Sequence, residues 1–451
     1  MTATQSGWRA GVARAVVTPP VGSPLIGFAG RAESTACHDD LTATALVLEC
    51  GGLQIAIVAC DVLYIMGGQR TRAAIASRSG IHPGRILLTA SHNHYGPPLD
   101  PDVEGAAHSI SATDRSLVLA YLANLDNVLS GVVAAACSRL VPCSLGFATG
   151  NAFIGINRRE RLPDGRIVLG NNPDGPCDRT VRLLRIDQPD GRPLVQLLNF
   201  ACHAVTLGSE CTEITADFPA VARELIERET GALCIFLQGA AGNINPVLMG
   251  WDWTYPRRLG LSLGAEGARL FWTAQPEPLG GGLNVTSTTV ALPPFLPGSV
   301  QEAKDLIRCL EAEVAAPTTD AGSLAWAEWR LSRARRALDV VSGNKAPVPV
   351  KAELTAISLG SSIGWITSPG EVFTELGGRI VEQSPFERTL FSGYTHDAIG
   401  YVPTPTAYDE GGYEVTHSCY VARESAEILE TRSLEMLARV HDQATGSPLI
   451  Q

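Results

Sequence analysis

The segment RILLTASHNHYGP, residues 85–97, joins a short apolar strand to two histidines. Its first part, residues 85–90, predicts a buried strand, and His92 and His94 follow almost directly. Extended backbone places residues two positions apart on the same side, so both imidazoles would share a face there, whereas a loop does not guarantee this. Because histidine is the commonest metal ligand, the segment indicates a metal site, although an HxH pair alone does not establish one.

Two further apolar strands also end near side chains that bind metals. Residues 194–200 lead into His203, and residues 363–366 are followed closely by Glu371. The carboxyl ends of strands are where α/β folds usually hold their sites, and two or three histidines with a carboxylate leave one coordination position open for water. Two other interpretations stay open: His203 as a packed core histidine, and Glu371 as a carboxylate at a helix start, where the helix dipole favours it.

Strand-like and helix-like segments alternate along the chain, which predicts an α/β fold (mixed α+β) with central β-sheets flanked by helices. The predicted strands are residues 43–49, 53–59, 85–90, 181–186, 194–200, 233–237, 353–358 and 363–366, and the predicted helices are residues 69–79, 114–137, 218–229, 299–314, 323–341, 372–380 and 422–440. The Pro- and Gly-rich stretch Glu277–Pro297 is the only candidate boundary. We expect a single domain over residues 1–451, because candidate site residues lie on both sides of that stretch.

Composition and charge exclude several classes of protein. The 451 residues include 46 acidic and 35 basic side chains, and the net charge of -11 argues against nucleic-acid binding, which depends on neutralising phosphates. The sequence has no uninterrupted apolar run long enough to predict a membrane span, and Met1–Gly11 lacks the apolar core of a signal peptide. The eleven cysteines form no CxxC pair, which indicates free thiols and a cytoplasmic protein.

Eight short motifs between residues 38 and 404 occur in the order in which one enzyme family carries them. They are HDDL followed by ALVL (38–41 and 45–48), TASHNHYGP (89–97), GINR (155–158), NFACHAV (199–205), ADFP (216–219), QGAAGNINP (238–246), PGE (369–371) and YVPT (401–404). Through these motifs the sequence resembles the catalytic domain of the neutral ceramidases. The resemblance implies the fold of that domain without the immunoglobulin-like domain that follows it in larger members, since only 50 residues follow Tyr401.

The resemblance also implies a zinc site. In that family two histidines, a glutamate and a tyrosine bind Zn²⁺, and these positions fall on His92, His203, Glu371 and Tyr401. Which of His92 and His94 touches the metal stays open. We favour His92 as the ligand, with His94 either packed beside it or donating a proton to the substrate.

Three asparagine and arginine positions acquire roles by the same resemblance. Arg158 is expected to bind the substrate carbonyl or oxyanion and Asn157 to contact substrate, although both could instead brace a turn. Asn245 stands where a serine nucleophile has been described for family members, so covalent catalysis through that position is unavailable. Asn245 and the backbone from Gly239 to Gly242 are expected to orient the substrate.

Aromatic and acidic side chains near these motifs extend the predicted site. Trp251 and Trp253 follow the 238–246 motif and are expected either to form an aromatic wall for the substrate or to pack in the core. Asp61 and Asp217 lie at the ends of apolar segments. We expect them either to orient imidazole N–H groups or to serve as turn and cap residues.

The activity implied by the resemblance is that of a zinc-dependent hydrolase, which cleaves the amide bond of an N-acyl substrate, ceramide-like or smaller, through a metal-bound hydroxide. The alternatives are a zinc-dependent esterase or lactamase-type hydrolase of a non-sphingolipid small molecule, a non-catalytic metal-containing protein that binds a ligand, and a structural protein in which the His and Glu side chains only pack. The expected partner is a small or lipid-like N-acyl compound. We expect no nucleic acid and no transmembrane segment, while transient membrane docking and a homo-oligomer stay open.

Overall fold

Three β-sheets and the helices that cover them make up most of this computed structural model, which describes residues 7–65, 68–99, 112–277, 279–317 and 321–446. The strands are β1 (Trp8–Val16), β2 (Ala36–Cys37), β3 (Thr42–Cys50), β4 (Leu53–Cys60), β5 (Ile86–Ala90), β6 (Val141–Pro142), β7 (Ser144–Asn151), β8 (Gly155–Arg161), β9 (Ile167–Asn172), β10 (Thr180–Asp187), β11 (Pro193–Phe200), β12 (Glu213–Ile214), β13 (Leu233–Gln238), β14 (Ile244–Pro246), β15 (Pro276–Glu277), β16 (Leu283–Leu292), β17 (Val350–Leu359), β18 (Ile363–Thr367), β19 (Glu371–Val372), β20 (Arg388–Ser392) and β21 (Tyr401–Val402). The helices are α1 (Gly68–Ser79), α2 (Ala112–Ser138), α3 (Asp217–Thr230), α4 (Thr254–Thr273), α5 (Val300–Val314), α6 (Ala321–Val341), α7 (Thr374–Glu382), α8 (Pro405–Glu410), α9 (Tyr413–Thr416) and α10 (Ser425–Thr445). The prediction about a signal peptide falls partly on residues 1–6, which lie outside this part of the chain.

The first sheet has the strand order β5-β4-β3-β1-β6. The predicted strands 43–49 and 53–59 are β3 and β4, which form a hairpin: they are antiparallel and turn through Gly51 and Gly52, whose φ angles of 59° and 81° are positive. Two successive positive φ angles suit a tight hairpin turn and favour glycine at both positions. Strands β4 and β5 are parallel, so the segments after residues 60 and 90 leave the sheet at the same edge.

The second and third sheets repeat this mixture of parallel and antiparallel pairing. The second has the order β13-β11-β10-β7-β15, and the third has the order β16-β17-β18-β20. In the second sheet β11 and β13 are parallel, and in the third β18 and β20 are parallel. Strand β16 lies inside the predicted boundary Glu277–Pro297 and pairs with β17 along its whole length. That part of the stretch is therefore a sheet strand.

The three sheets share one central core, and helices cover their outer faces. The central cluster includes Trp8, Leu46, Ile57 from the first sheet, Leu184, Leu197, Ile235 from the second and Ile357, Trp365, Leu390 from the third. Helices α1 and α2 pack on the first sheet, α3 and α4 on the second, and α7 and α10 on the third. Strands buried on both faces read as almost continuous apolar runs. The predicted fold class, central sheets flanked by helices, is confirmed.

One stretch of α2, Arg115–Ser138, is long and apolar enough by length and composition alone to cross a membrane. Its side chains Val118, Leu122, Leu125 and Leu129 pack in the core beside the first sheet, which gives the apolar residues a partner within the protein. The eleven cysteines are all free, as predicted, and six of them are buried.

Candidate metal centre

The carboxyl ends of strands from the three sheets bring the predicted ligands to one point. His92 and His94 follow β5 of the first sheet, and His203 follows β11 of the second. Glu371 lies in the short strand β19, directly after β18 of the third sheet. An isolated parallel bridge between Asn93 and the residue after His203 joins the first two segments. Helix α7 begins only at residue 374, so the alternative of Glu371 as a helix-start carboxylate is wrong.

Backbone carbonyl groups fix the orientation of all three imidazoles. The Nδ1 atoms of His92, His94 and His203 lie 3.0, 3.1 and 3.0 Å from the carbonyl oxygens of Leu63, Gly27 and Ile244. A carbonyl oxygen only accepts, so each Nδ1 carries the proton and each Nε2 presents a lone pair. The sequence left two roles open for Asp61 and Asp217: orienting these rings, or serving as turn and cap residues.

Both aspartates have other partners. Asp61 accepts two hydrogen bonds of 2.7 Å from Arg223, and Asp217 accepts from the backbone N–H of Thr206 at 2.8 Å. The prediction that they orient imidazoles is therefore wrong, and their interpretation as local structural residues holds. The Asp61 carboxylate joins α3 to β3 through Arg223 and Thr42, and Asp217 joins the start of α3 to the loop that follows His203.

The acceptor atoms of the cluster are spaced as ligands of one ion. Nε2 of His92 lies 3.2 Å from Nε2 of His94 and 3.3 Å from Oε2 of Glu371, which is 3.1 Å from Nε2 of His203. A tetrahedral zinc site with bond lengths of about 2.0–2.1 Å places its ligand atoms about 3.3 Å apart. Lone pairs this close repel one another unless a cation lies between them. These residues therefore fit a metal ion, and the His and carboxylate set suits zinc.

Burial and the neighbouring side chains together hold His94, His203 and Glu371 in the protonation states that bind a metal. Burial, with the charge of Arg158 as a second cause, lowers the pKa of His203 to about 4, and burial together with His92 lowers the pKa of His94 well below its ordinary value. Burial alone would raise the pKa of Glu371, but His92 and His203 outweigh it and hold the pKa of that carboxyl well below its usual range. Neutral imidazoles and an ionised carboxylate are the forms that ligate.

The backbone around the cluster is strained and closely packed. His92 has a φ of 59°, which is uncommon for a residue with a side chain and recurs at functional sites. Gly242 approaches the main chain of Glu371 so closely that a Cβ there would overlap its carbonyl oxygen. The glycine of the 238–246 motif thus lets the second and third sheets meet at the site.

Arg158 and Asn245 stand on the open side of the cluster. Nη1 of Arg158 donates to Oδ1 of Asn245 and to Nε2 of His203, both at 3.2 Å. Its Nε donates to Glu414, whose other oxygen accepts from Arg159, both at 2.8 Å. Nη2 of Arg158 is buried and has no hydrogen-bond partner in the described chain. The guanidinium is held firmly and keeps donor capacity beside the cluster.

Tyr401 lies beside Glu371 and under Arg158. Strands β19 and β21 are parallel, with Glu371 opposite Tyr401, and the Arg158 guanidinium lies 5.3 Å from the centre of the Tyr401 ring. Burial raises the pKa of Tyr401 well above its ordinary value, and Arg158 acts in the opposite direction. The phenol thus lies on the rim of the cluster, where its role as a ligand stays a prediction.

A cavity of about 500 Å³ opens next to the cluster. His94, Arg158, His203, Asn245 and Tyr401 form its polar end. The apolar part of the lining includes Phe28, Leu169, Val205, Val247, Leu248, Met249 and Trp326. This volume lies within the range of small-molecule sites, and such an arrangement fits an apolar molecule with one polar, reactive end.

Two solved structures share this architecture over nearly the whole chain. The first, neutral ceramidase from Pseudomonas aeruginosa, is 19% identical with a TM-score of 0.71, and the match covers 98% of this chain and 75% of that one. The second, a ceramidase complexed with C2, is 18% identical with a TM-score of 0.70, covering 99% and 76%. The fold is that of the neutral ceramidases. No protein-family model and no curated protein sequence matches this chain.

Within this neutral ceramidase-like fold, four residues predicted to bind substrate lie away from the cavity lining. Trp251 is 48% exposed, and Trp253 stacks on His38 with ring centres 3.6 Å apart. Asn157 is buried and donates to the carbonyl of Pro176. Gly239 is buried against Ala201. Their residue types suit substrate contacts, but the local folding directs them into turns, packing or solvent.

Several side chains around the site of this neutral ceramidase-like fold could not be predicted from the motifs. Tyr64 donates to Glu371 at 2.6 Å, Glu414 anchors Arg158, and Trp326 reaches the cavity from α6. A signal existed for Tyr64, since it follows β4 at the same sheet edge as His92. The position of Trp326 depends on how the α5–α6 hairpin packs on the rest of the protein, which no local pattern specifies.

Proposed function

We propose that this protein is a zinc-dependent hydrolase that cleaves the amide bond of an N-acyl compound. The observation that carries the proposal is the convergence of three imidazole Nε2 atoms and one carboxylate oxygen at the polar end of an apolar-lined cavity. The neutral ceramidase-like fold supports the amide class, as does the resemblance of the motifs. A purely structural role would leave the close approach of these acceptor atoms without a cause.

We assign the cation to His92, His203, Glu371 and Tyr401. Both of these histidines are buried, whereas His94, which lines the cavity together with His203, is partly exposed. This difference favours His92 and His203 as ligands and leaves His94 on the side from which a substrate would approach. A bound zinc ion lowers the pKa of a water ligand from 15.7 to about 7 and polarises a carbonyl.

The other residues bind the substrate and move its protons. Nδ1 of His94 is held by the carbonyl of Gly27, so only its Nε2 lone pair is free to exchange a proton. We assign this nitrogen the role of accepting a proton from the attacking water and then delivering it to the leaving amine. Nη1 of Arg158 lies against Nε2 of His203, and a cation on that nitrogen would free this N–H for the substrate oxygen. Asn245 orients the same guanidinium.

The apolar cavity walls indicate the shape of the substrate. Leu169, Val247, Met249 and Trp326 offer contact area to an alkyl or aryl group, while the polar groups lie at one end. We therefore propose an N-acyl compound with an apolar arm, whose amide reaches the cluster while the arm lies along these side chains.

Zinc stoichiometry tests the site first. Purified protein should hold about one zinc per chain, as catalytic sites of this kind do, and His203→Ala should lose it. His82→Ala is the matched control, because this histidine is exposed and lies away from the cluster. Wild-type protein that binds no zinc after reloading would remove the metal centre from the proposal.

A substrate panel then tests the bond. Zinc-loaded protein should cleave soluble N-acyl amides with an apolar acyl group, and His203→Ala should not. If the loaded enzyme leaves ceramide, N-acyl amino acids and cyclic amides intact but cleaves esters, the amide assignment is wrong while the metal assignment stands.

A further inference from the structure

The segment that follows β4, residues 61–64, contacts the metal centre at three points. The carbonyl of Val62 accepts from the backbone N–H of Asn93 at 3.1 Å, and the carbonyl of Leu63 lies 3.0 Å from Nδ1 of His92. The hydroxyl of Tyr64 donates to Oε1 of Glu371 at 2.6 Å. One short segment thus contacts both the loop that carries His92, from the first sheet, and Glu371, from the third.

The two oxygens of Glu371 have separate partners. Oε1 accepts from Tyr64, while Oε2 lies between Nε2 of His92, at 3.3 Å, and Nε2 of His203, at 3.1 Å. An ionised carboxylate only accepts, so the phenol is the donor, and such a charge-assisted bond is short and strong. With Oε1 engaged, the carboxylate has one oxygen directed at the cluster.

The segment is itself firmly anchored at its first residue. Both oxygens of Asp61 accept from the Arg223 guanidinium at 2.7 Å, and one of them also accepts from the backbone N–H of Thr42 at 2.9 Å. Asp61, Val62 and Leu63 are buried. The chain that leads to Tyr64 is therefore held in place by β3 and α3.

We propose that Tyr64 is a positioning residue of the metal centre, whose hydroxyl engages Oε1 of Glu371 so that Oε2 alone faces the cation. This rests on the proposed function insofar as it places a cation at the cluster. Groups that orient metal ligands in this way typically contribute about 10–100-fold to metal affinity. Tyr64 has no assigned part in bond cleavage, since its hydroxyl lies on the far oxygen of the carboxylate.

The test compares Tyr64→Phe with Tyr121→Phe. The hydroxyl of Tyr121 donates to the carbonyl of Val17, also at 2.6 Å, so each variant loses one hydrogen bond of equal length from a tyrosine hydroxyl. Zinc affinity is measured by chelator competition on the purified full-length proteins. We expect Tyr64→Phe to bind zinc about 10–100-fold more weakly and Tyr121→Phe to match the wild type.

A spectrum of the copper(II)-loaded protein separates positioning from ligation. A tyrosinate bound to copper(II) gives a visible charge-transfer band, and the positioning role predicts that Tyr64→Phe leaves this region of the wild-type spectrum unchanged. The proposal is overturned if Tyr64→Phe keeps wild-type zinc affinity, if it removes a tyrosinate band, or if the metal-free variant is far less stable than Tyr121→Phe. If wild-type protein binds zinc and Tyr64→Phe binds it weakly, but no amide is cleaved, the positioning role stands and the proposed hydrolysis fails.

Discussion

Replacing Glu414 by Gln removes a carboxylate that two buried guanidiniums share. Glu414 is 1% exposed, and its oxygens accept from Nε of Arg158 and Nη1 of Arg159, both at 2.8 Å. Gln keeps the shape of the side chain but has one acceptor oxygen, and its NH₂ group faces the second guanidinium. One charge-assisted hydrogen bond and the negative charge that the two buried cations share are lost together.

The expected cost follows from these contacts. A hydrogen bond to a charged group contributes about 1.5–3 kcal/mol, and removing one partner of a buried ion pair costs about 3–5 kcal/mol because the remaining charge is uncompensated. We expect Glu414→Gln to lower the free energy of unfolding by about 3–5 kcal/mol. Catalytic activity should fall as well, since Arg158 loses the group that orients it toward the cluster.

Urea unfolding of the metal-free proteins measures this cost, with Glu410→Gln as the control. Glu410 also contacts two arginines, Arg159 at 3.2 Å and Arg161 at 2.6 Å, but it is 36% exposed, so its loss should cost at most about 1 kcal/mol. The two variants should keep the wild-type m-value. If Glu414→Gln and Glu410→Gln differ by less than about 1 kcal/mol, the burial argument is refuted.

Three further perturbations have defined outcomes. Burial and the nearby Arg72 lower the pKa of His396 to about 4, so the unfolded state binds the proton more readily and the free energy of unfolding should fall as the pH drops from about 6.5 to 4. His396→Asn, whose new side chain tolerates the φ of 72° at this position, should flatten this pH dependence in urea unfolding. An unchanged pH dependence would contradict the assignment to His396. Gly242→Ala should lower the free energy of unfolding by about 1–3 kcal/mol and weaken zinc binding, because the new Cβ would displace the main chain at Glu371. Wild-type zinc affinity in this variant would show that the site does not need the close approach of residue 242 to Glu371. Trp326→Ala should lower kcat/KM for apolar N-acyl substrates about tenfold or more, whereas Trp251→Ala, which changes a residue outside the cavity lining, should leave kcat/KM unchanged. Equal losses of kcat/KM in the two variants would count against this cavity as the substrate site.

The sheet framework could be predicted because its signals are local. Apolar runs such as residues 53–59 and 194–200 identify buried strands, and the glycine pair between β3 and β4 specifies their turn. The same logic located His92 and His203, since both directly follow such strands. Strands β7 to β9 were missed because residues 144–172 are rich in Gly, Asn and Arg, and because β7 and β9 are only partly buried. Their pairing partners therefore decide their structure.

Tyr64 and Glu414, which hold Glu371 and Arg158 in place, could not be predicted because their contacts join distant parts of the chain. Tyr64 and Glu371 are 307 residues apart, and Arg158 and Glu414 are 256 apart. A tyrosine or glutamate in a loop has many potential partners, and only the docking of the three sheets selects one. For the same reason the sequence offered aspartates as imidazole partners where the structure uses backbone carbonyls, which no residue pattern reveals.

The contribution of each sheet to the cluster also constrains when the site comes into being. His203 and Glu371 are separated by 168 residues. His203 meets His92 only when the first and second sheets have docked, and Glu371 joins them only when the third sheet docks as well. A cation bound there would cross-link segments that are far apart in the chain. The entropy cost of closing the loops between them grows only slowly with loop length. Loading would then be the last step of maturation, and the zinc content of a preparation would count the molecules that have completed assembly.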